Sequence, residues 1–239
     1  MTDPRISFII PARNEQDYIG STIDSILRQP ERFVKEIIVV DNGSTDRTVE
    51  VASAKPKTIV LKESVPGTNR ARQTGINAAT GEIVAFIDAD NWLTPGWSET
   101  ALRYLSRPGT AAVAGIYAYR DLSKIKNIFL KYGFLIIAYP VYFLIHHILK
   151  KGSVVQGGNL AVWRWALDKI GGLDVNYVFF GDDVNTGKRL RKIGKVVFTH
   201  RLVVLSSARR FKKRGYFATV SRYFINFIWV ILFDRPFAK

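Results

Sequence analysis

IVAFIDADN, residues 83–91, joins five apolar residues to two carboxylates, Asp88 and Asp90, that are separated by one small residue. A short apolar run rich in β-branched residues predicts a buried strand over residues 83–87. The two carboxylates at its end suit a hard divalent cation, because Mg²⁺ or Mn²⁺ takes one or two protein carboxylates and fills its other positions with water and phosphate oxygens. Two solvated aspartates in an ordinary turn are the alternative interpretation.

The sequence before this strand alternates between short apolar runs and helical patterns. The predicted strands are 6–10, 36–40 and 58–61, and the predicted helices are 17–27, one from Thr45 onward, and about 68–79. This alternation predicts an α/β fold with a parallel sheet covered on both faces. Ligands of open α/β sheets bind beyond the carboxyl ends of the strands, so the polar clusters 11–15, 41–44 and 88–91 should meet in one crevice.

Length and composition exclude several classes of protein. The chain has 239 residues, of which 47% are hydrophobic and 23% charged, so it can bury a core and is not intrinsically disordered. It contains no cysteine, which excludes disulfides, thiolate metal sites and a cysteine nucleophile. No apolar leader is visible over residues 1–5, so the expected location is cytoplasmic.

The basic excess lies entirely in the second half of the chain. Residues 1–110 hold 13 Lys/Arg and 14 Asp/Glu, whereas residues 111–239 hold 22 and 6. Two uncharged apolar segments, 132–149 and 223–233, lie next to basic residues. Apolar segments with basic flanks indicate an anionic membrane surface rather than nucleic acid, because nucleic-acid grooves place basic residues among polar ones. We therefore expect a membrane partner and no nucleic-acid partner.

Several motifs along the chain resemble those of family 2 glycosyltransferases in order and spacing. They are IIPARNE (9–15), VVDNGSTD (39–46), ARQTG (71–75), the DAD motif (88–90), GGN (157–159), GGLD (171–174) and GDD (181–183). The resemblance covers roughly residues 4–205. It implies the GT-A nucleotide-diphospho-sugar transferase fold, with a Rossmann-like, mostly parallel sheet, helices on both faces and additional apolar helices in the second half.

The resemblance also implies roles for individual residues. Those expected to bind the nucleotide-sugar are Pro11, Ala12, Asn14, Glu15, Asp41, Arg72, Asp88, Ala89 and Asp90. Within this set Arg72 would lie near the diphosphate, Asp88 near the ribose, and Asp90, with Asp88, would hold Mn²⁺ or Mg²⁺. Asp183 matches the catalytic base, and Asp182 stands where the family usually has Glu. The alternative for this pair is that it caps the following helix, where the dipole favours anions.

Further residues are candidates for contacts around this centre. Those expected to contact the acceptor or a phosphate are Gly158, Asn159, Trp163, Arg209 and Arg210. His200 is a candidate extra metal ligand, although a lone histidine is usually structural. A solvated basic surface is the alternative for the two arginines.

The sequence thus predicts an inverting glycosyltransferase that moves one sugar to an acceptor hydroxyl or lipid phosphate at the membrane surface. The QxxRW string of processive family members is absent from the sequence, which favours single transfer. The expected organisation is a GT-A domain over 1–205, with an apolar helical insertion at about 122–151 and a membrane-associating segment over 206–239. Such a protein would be monotopic or peripheral on the cytoplasmic face. The alternatives are a cytosolic enzyme with a soluble or protein acceptor, whose apolar segments are buried or form a homodimer, and a non-catalytic membrane-binding scaffold.

Overall fold

The computed structural model describes residues 4–149, 152–177, 181–209 and 229, and the structural statements below concern these residues. The strands are β1 (Ile6–Ala12), β2 (Val34–Asp41), β3 (Thr58–Lys62), β4 (Ile83–Ile87), β5 (Asn91–Leu93), β6 (Thr110–Tyr119), β7 (Asn159–Trp163) and β8 (Lys195–Ser206). The helices are α1 (Ile19–Leu27), α2 (Thr48–Ser53), α3 (Thr68–Ala78), α4 (Trp97–Leu105), α5 (Lys124–Tyr142), α6 (Arg164–Lys169) and α7 (Asp182–Arg191).

The strands of the described residues form one sheet in the order β3-β2-β1-β4-β7-β6-β8-β5. Strands β1 to β4 pair in parallel, as the alternation in the sequence predicts. β7 then lies antiparallel between β4 and β6, and β5 pairs antiparallel with the end of β8. β6 and β8 run parallel. The α/β prediction is confirmed, and the strands of the second half make the sheet mixed.

Two hydrophobic cores cover the two faces of the sheet. Alternate residues of β1 face opposite sides: Phe8 packs with α1 and α4, whereas Ile9 packs with α3. Burial of each such large apolar side chain stabilises the fold by about 1.5–3 kcal/mol. Gly75 of α3 approaches β1 so closely that an added Cβ would lie 2.5 Å from the Ile9 side chain. This close packing fixes α3, which carries Arg72, against the centre of the sheet.

Helix α5 carries the apolar segment of the second half and is largely uncovered. With the π-helical turn Phe143–Ile148 it forms a 25-residue helix, and the most apolar 18-residue window of this helix has a mean hydropathy of 1.9. By length and composition the helix could cross a membrane. Only 11% of its most apolar window is buried, whereas a core helix would be mostly buried. Phe129 and Ile136 are 74% and 73% exposed, while Ala138 packs on Phe198 of β8. We call the exposed side the apolar face of α5.

A short junction connects β6 to α5 near the start of the predicted apolar insertion at about 122–151. β6 ends at Tyr119, and the Ser123 hydroxyl accepts a hydrogen bond from the Lys126 N–H at the start of α5. Most of the predicted membrane-associating segment 206–239 lies outside the described residues. The division into a GT-A domain and a C-terminal segment therefore stays a prediction.

Candidate active site

A crevice opens at the carboxyl ends of β1, β2 and β4, where the sequence predicts three polar clusters to meet. Its cavity has a volume of about 310 Å³, within the range in which proteins bind small ligands. Among the residues predicted from the sequence, those that line it are Pro11, Ala12, Glu15, Asp88, Ala89, Asp90 and Arg209. The remaining lining residues are Arg13, Asn42, Pro66, Gly67, Thr68 and Ala71.

The loops after β1 and β2 are hydrogen-bonded to each other and form one wall. Asn14 has a left-handed backbone (φ 55°), and its side-chain oxygen accepts from the Thr45 N–H at 2.8 Å. Its own N–H donates to the Ser44 hydroxyl at 3.0 Å. Asp41 is buried and accepts from the Ser44 N–H at 3.1 Å. Asn14 and Asp41, both predicted to contact the nucleotide, therefore support this wall from behind the lining residues.

Arg72 is buried at the centre of three carboxylates. Its Nη2 donates to Asp88 at 3.0 Å, and its Nη1 donates to Asp182 at 3.1 Å and lies 3.7 Å from Asp183. Burial alone disfavours the guanidinium charge, but the carboxylates outweigh burial and raise the pKa of Arg72. Removing one partner of such a buried pair typically costs about 3–5 kcal/mol. Arg72, predicted from the sequence to lie near the diphosphate, therefore links the DAD motif to the start of α7.

Asp182 and Asp183 occupy the first turn of α7, which follows Gly181 in a left-handed conformation (φ 84°). The partial positive charge of the helix N-terminus favours carboxylates there, so helix stabilisation and catalysis are compatible roles. Burial, reinforced by the neighbouring charge of Asp183, raises the pKa of Asp182 to about 8. The Asp183 side chain is 36% exposed against 10% for Asp182, so Asp183 is the more accessible of the two carboxylates.

A turn of two glycines lies directly behind these carboxylates. An added Cβ at Gly157 would lie 2.1 Å from Asp183 Oδ1, and one at Gly158 would lie 2.3 Å from Asp88 Oδ2. Neither glycine has a positive φ, so these positions require the absence of a side chain rather than an unusual backbone. Gly158, predicted to contact the acceptor or a phosphate, is therefore part of the site and shapes the position of Asp88.

Arg209 reaches the cavity from the residues just after β8. Its Nη2 contacts the Glu15 carboxylate and lies 3.1 Å from Asp90 Oδ2, and its guanidinium carbon lies 4.8 Å from the centroid of the Tyr18 ring. A cationic group therefore stands beside Asp90, in a place where it can also meet a phosphate. Arg210, predicted together with it, lies outside the described residues.

The donor set at the DAD motif fits a divalent cation. Asp88 and Asp90 line the same cavity, and Asp90 already faces the positive charge of Arg209. Within the described ranges no three His, Asp or Glu side chains gather into a metal site, so the fit is to two carboxylates with water and phosphate oxygens. His200, predicted as an extra ligand, is instead hydrogen-bonded to Tyr139 of α5 through Nδ1 at 2.7 Å.

Two predicted acceptor contacts hold the fold together instead. Asn159 is fully buried: its Nδ2 donates to backbone carbonyls of β6 and β8, and its Oδ1 accepts from Trp97 Nε1 at 2.9 Å. Trp163 is registered with Ile83, at the end of β4 opposite to Asp88. These positions correct the expectation that Asn159 and Trp163 face an acceptor.

Sequence reasoning missed two residues that organise the site. The Asn42 amide donates to two carbonyls of the loop before α3 and accepts from the Gly67 N–H at 2.8 Å, which shapes the cavity wall. The position of Asn42 in the polar cluster 41–44 is the sequence signal that could have identified it. The Tyr117 hydroxyl accepts from the Gly158 N–H at 3.1 Å, and no motif in β6 marks this tyrosine.

The raised pKa of Asp182 predicts a stability that falls as pH rises. Folding raises this pKa from 3.8 to about 8, so between these values the folded state binds more protons than the unfolded state. The free energy of unfolding should therefore decrease with pH in this window, by at most about 1.4 kcal/mol per pH unit from this group. Denaturant titrations at several pH values should give a flatter profile for Asp182→Asn than for the wild type. The exposed-site control Asp168→Asn should keep the wild-type slope, and equal slopes for all three proteins would contradict the assignment.

Solved structures with the same architecture support the GT-A fold. A mannosyltransferase from Pyrobaculum calidifontis, solved with GDP-Man and Mn²⁺, has a TM-score of 0.72 at 23% identity and covers 98% of this chain and 65% of its own. A glucosyl-3-phosphoglycerate synthase from Mycobacterium tuberculosis, solved with Mn²⁺, UDP-Glc and phosphoglyceric acid, has a TM-score of 0.66 at 25% identity. That match covers 97% of this chain and 79% of the synthase. The predicted fold is confirmed.

Sequence comparison identifies the family. Glycosyltransferase AglE of Haloferax volcanii is 28% identical over 226 residues, which is 88% of this chain and 69% of AglE. The chain spans less of other curated relatives, namely 18% of a Streptococcus pneumoniae glycosyltransferase and 31% of a Bacillus subtilis one. The model of Glycosyl transferase family 2 matches residues 7–171, a range that contains the DAD motif and the glycine turn. The chain therefore belongs to glycosyl transferase family 2.

Proposed function

We propose that this protein is an inverting glycosyltransferase that moves one sugar from a UDP- or GDP-type sugar nucleotide to an acceptor hydroxyl or lipid phosphate at a membrane surface. The observation that carries the proposal is the Arg72 cluster. One buried guanidinium joins Asp88, on the cavity side, to Asp182 and to the more exposed carboxylate, Asp183. Donor binding and acceptor activation are thereby held in one rigid unit.

The nucleotide-sugar would lie in the cavity beside the DAD motif. Pro11, Ala12 and Glu15 would line the base and ribose, and Asp88 and Asp90 would hold the metal. A bound Mg²⁺ or Mn²⁺ would neutralise charge that develops on the leaving diphosphate. The proteins of known structure described above contain Mn²⁺ with GDP-Man or UDP-Glc, which supports this class of donor.

Asp183 is the proposed general base. It would take the proton of the acceptor hydroxyl while that oxygen attacks the anomeric carbon and the bond from this carbon to the diphosphate oxygen breaks. A single displacement inverts the anomeric configuration, and the nucleoside diphosphate leaves with the bonding electrons. Asp182 has its pKa raised to about 8 and accepts from Arg72, so it serves to hold that guanidinium. A lipid phosphate acceptor would be an anionic nucleophile already, and no proton would then be removed.

The test of the activity is a donor screen. The purified chain is incubated with UDP-, GDP- and dTDP-sugars, Mn²⁺ and a polyprenyl phosphate, and release of nucleoside diphosphate is measured. NMR of the product then gives the configuration at the anomeric carbon. Turnover with one class of donor and an inverted product is expected. A retained configuration contradicts the single displacement, and failure to bind any of the three nucleoside diphosphates contradicts the proposed function.

The apolar face of α5 supports the membrane part of the proposal. Its apolar residues are exposed, and Lys124, Lys126 and Lys131 lie on the same helix. An amphipathic surface of this kind binds in the interface of a bilayer, and each basic residue near an anionic surface contributes about 1 kcal/mol. A protein seated in this way on the cytoplasmic face would meet a lipid-linked acceptor without extracting it from the bilayer.

This location predicts sedimentation with anionic liposomes and partial release by high salt. Phe129→Glu and Ile136→Glu place a charge on the apolar face of α5 and should abolish sedimentation without unfolding the protein, because both side chains are exposed. Ile59→Glu, at an exposed position on β3, is the matched control and should still sediment. If the wild type is monodisperse without detergent and ignores the liposomes at low salt, the soluble acceptor replaces the lipid acceptor. Dimerisation through α5 would then appear in size-exclusion chromatography.

A further inference from the structure

Tyr117 on β6 is hydrogen-bonded to the glycine turn behind the carboxylates. Its hydroxyl oxygen accepts from the Gly158 N–H at 3.1 Å. On the other side of the same residue, the Gly158 carbonyl accepts from the Asn91 Nδ2 at 2.9 Å, and Asn91 is fully buried. Both polar groups of Gly158 are therefore held by side chains from two different strands.

The residues held in this way touch the carboxylates of the site. The turn closes with a hydrogen bond from the Asn159 N–H to the Gln156 carbonyl at 2.9 Å, which leaves Gly157 and Gly158 at its tip. The missing side chains of these glycines leave space that Asp183, Arg72 and Asp88 fill. If the turn shifted by a fraction of an ångström toward the Arg72 cluster, it would displace these side chains.

Tyr117 retains its proton in this environment. Burial, together with the charges of Asp88 and Asp183, raises the pKa of Tyr117 well above its ordinary value. The hydroxyl is consequently a neutral group that accepts from Gly158 and adds no charge to the carboxylate cluster.

We propose that Tyr117 is a positioning residue for glycosyl transfer, which holds the Gly157–Gly158 turn against Asp88 and Asp183 and so fixes the donor-side and base-side carboxylates relative to each other. The proposal rests on the proposed glycosyltransferase function. It adds a residue that lies outside the DAD and GDD motifs in the sequence and acts through the backbone N–H of Gly158.

The test compares Tyr117→Phe with Tyr104→Phe. Tyr117→Phe removes the hydroxyl and keeps the ring. Tyr104→Phe removes the hydroxyl of a buried tyrosine on α4 and serves as the control. This hydroxyl accepts from the Thr199 hydroxyl of β8 at 2.9 Å. Loss of a hydrogen bond that orients catalytic groups typically costs 10- to 100-fold, so we expect kcat of Tyr117→Phe to fall by about 10-fold or more. KM for the donor should change less than kcat does, because most of the cavity lining lies outside the Gly157–Gly158 turn.

Amide hydrogen exchange of Gly158 provides the readout that does not depend on turnover. Exchange should be faster in Tyr117→Phe than in the wild type and unchanged in Tyr104→Phe. Equal kcat in wild type and Tyr117→Phe, an equal loss of kcat in both variants, or unchanged Gly158 exchange each overturn the positioning role while leaving the proposed function in place. If the wild-type protein transfers no sugar, the proposed function is contradicted, and the positioning role is contradicted with it.

Discussion

Asp183→Asn is expected to lower turnover by about 10²- to 10⁴-fold while folding and donor affinity stay as in the wild type. Asparagine keeps the shape of the side chain and its place in the first turn of α7, but it cannot take up the proton of the acceptor hydroxyl. The contact with Arg72 is long, at 3.7 Å, and Arg72 retains its shorter bonds to Asp88 and Asp182. The buried cluster should therefore survive the substitution.

The measurement is kcat with an acceptor that reacts through a hydroxyl, together with calorimetric affinity for the nucleoside diphosphate. Asp168→Asn, on the exposed surface of α6, is the control for loss of a carboxylate and should be as active as the wild type. If Asp183→Asn turns over at nearly the wild-type rate, the general-base role is contradicted and Asp183 only stabilises the helix. A phosphate acceptor should be far less sensitive to this substitution, because it has no proton to lose.

Asp90→Ala is expected to abolish transfer and to remove the metal-dependent part of nucleotide binding. The diphosphate would lose its connection to the protein through the metal, since Asp90 is one of the two cavity-lining carboxylates that would hold it. Arg209 would keep its contact with Glu15, so the cavity would retain a positive group beside the phosphates. Weak binding of the nucleotide without metal dependence should therefore remain.

Titration calorimetry with UDP and GDP, in Mn²⁺ and in EDTA, measures the two parts of this binding. The wild type should bind more tightly in Mn²⁺, and Asp90→Ala should bind equally in both buffers. Asp24→Ala, which removes a partly exposed ion pair with Lys55, is the control and should behave as the wild type. Wild-type turnover that continues unchanged in EDTA would contradict the metal role.

The sequence was informative wherever a local pattern determines structure. The short apolar run predicted β4 over the residues that this strand occupies. The position of the DAD motif at the end of the strand predicted its place in the crevice. Pairings between distant parts of the chain had no local signal. Arg72 and Asp182 are separated by 110 residues, and no pattern indicates that Arg72 of α3 reaches the start of α7. The antiparallel position of β7 between β4 and β6 could not be predicted either, because a short apolar run has the same pattern in both strand directions.

Burial explains the predicted residues that proved structural. Asn159 belongs to the GGN motif and looks like a polar contact, but three internal hydrogen bonds use its amide. His200 looks like a metal ligand, but its neighbour is Tyr139 of α5. Residue type alone does not distinguish a side chain that faces a ligand from one that satisfies backbone groups of neighbouring strands.

The pairing of β5 with the end of β8 has a consequence for biosynthesis. The short strand Asn91–Leu93, which directly follows the DAD motif, has its sheet partner in Val204–Ser206, roughly a hundred residues later in the chain. At about 5–20 residues per second, translation takes about 5 to 20 s to supply that partner. The parallel half, β1 to β4, can form earlier because its strands are close together in the chain. Completion of the candidate active-site crevice is therefore a late event in the growth of the nascent polypeptide.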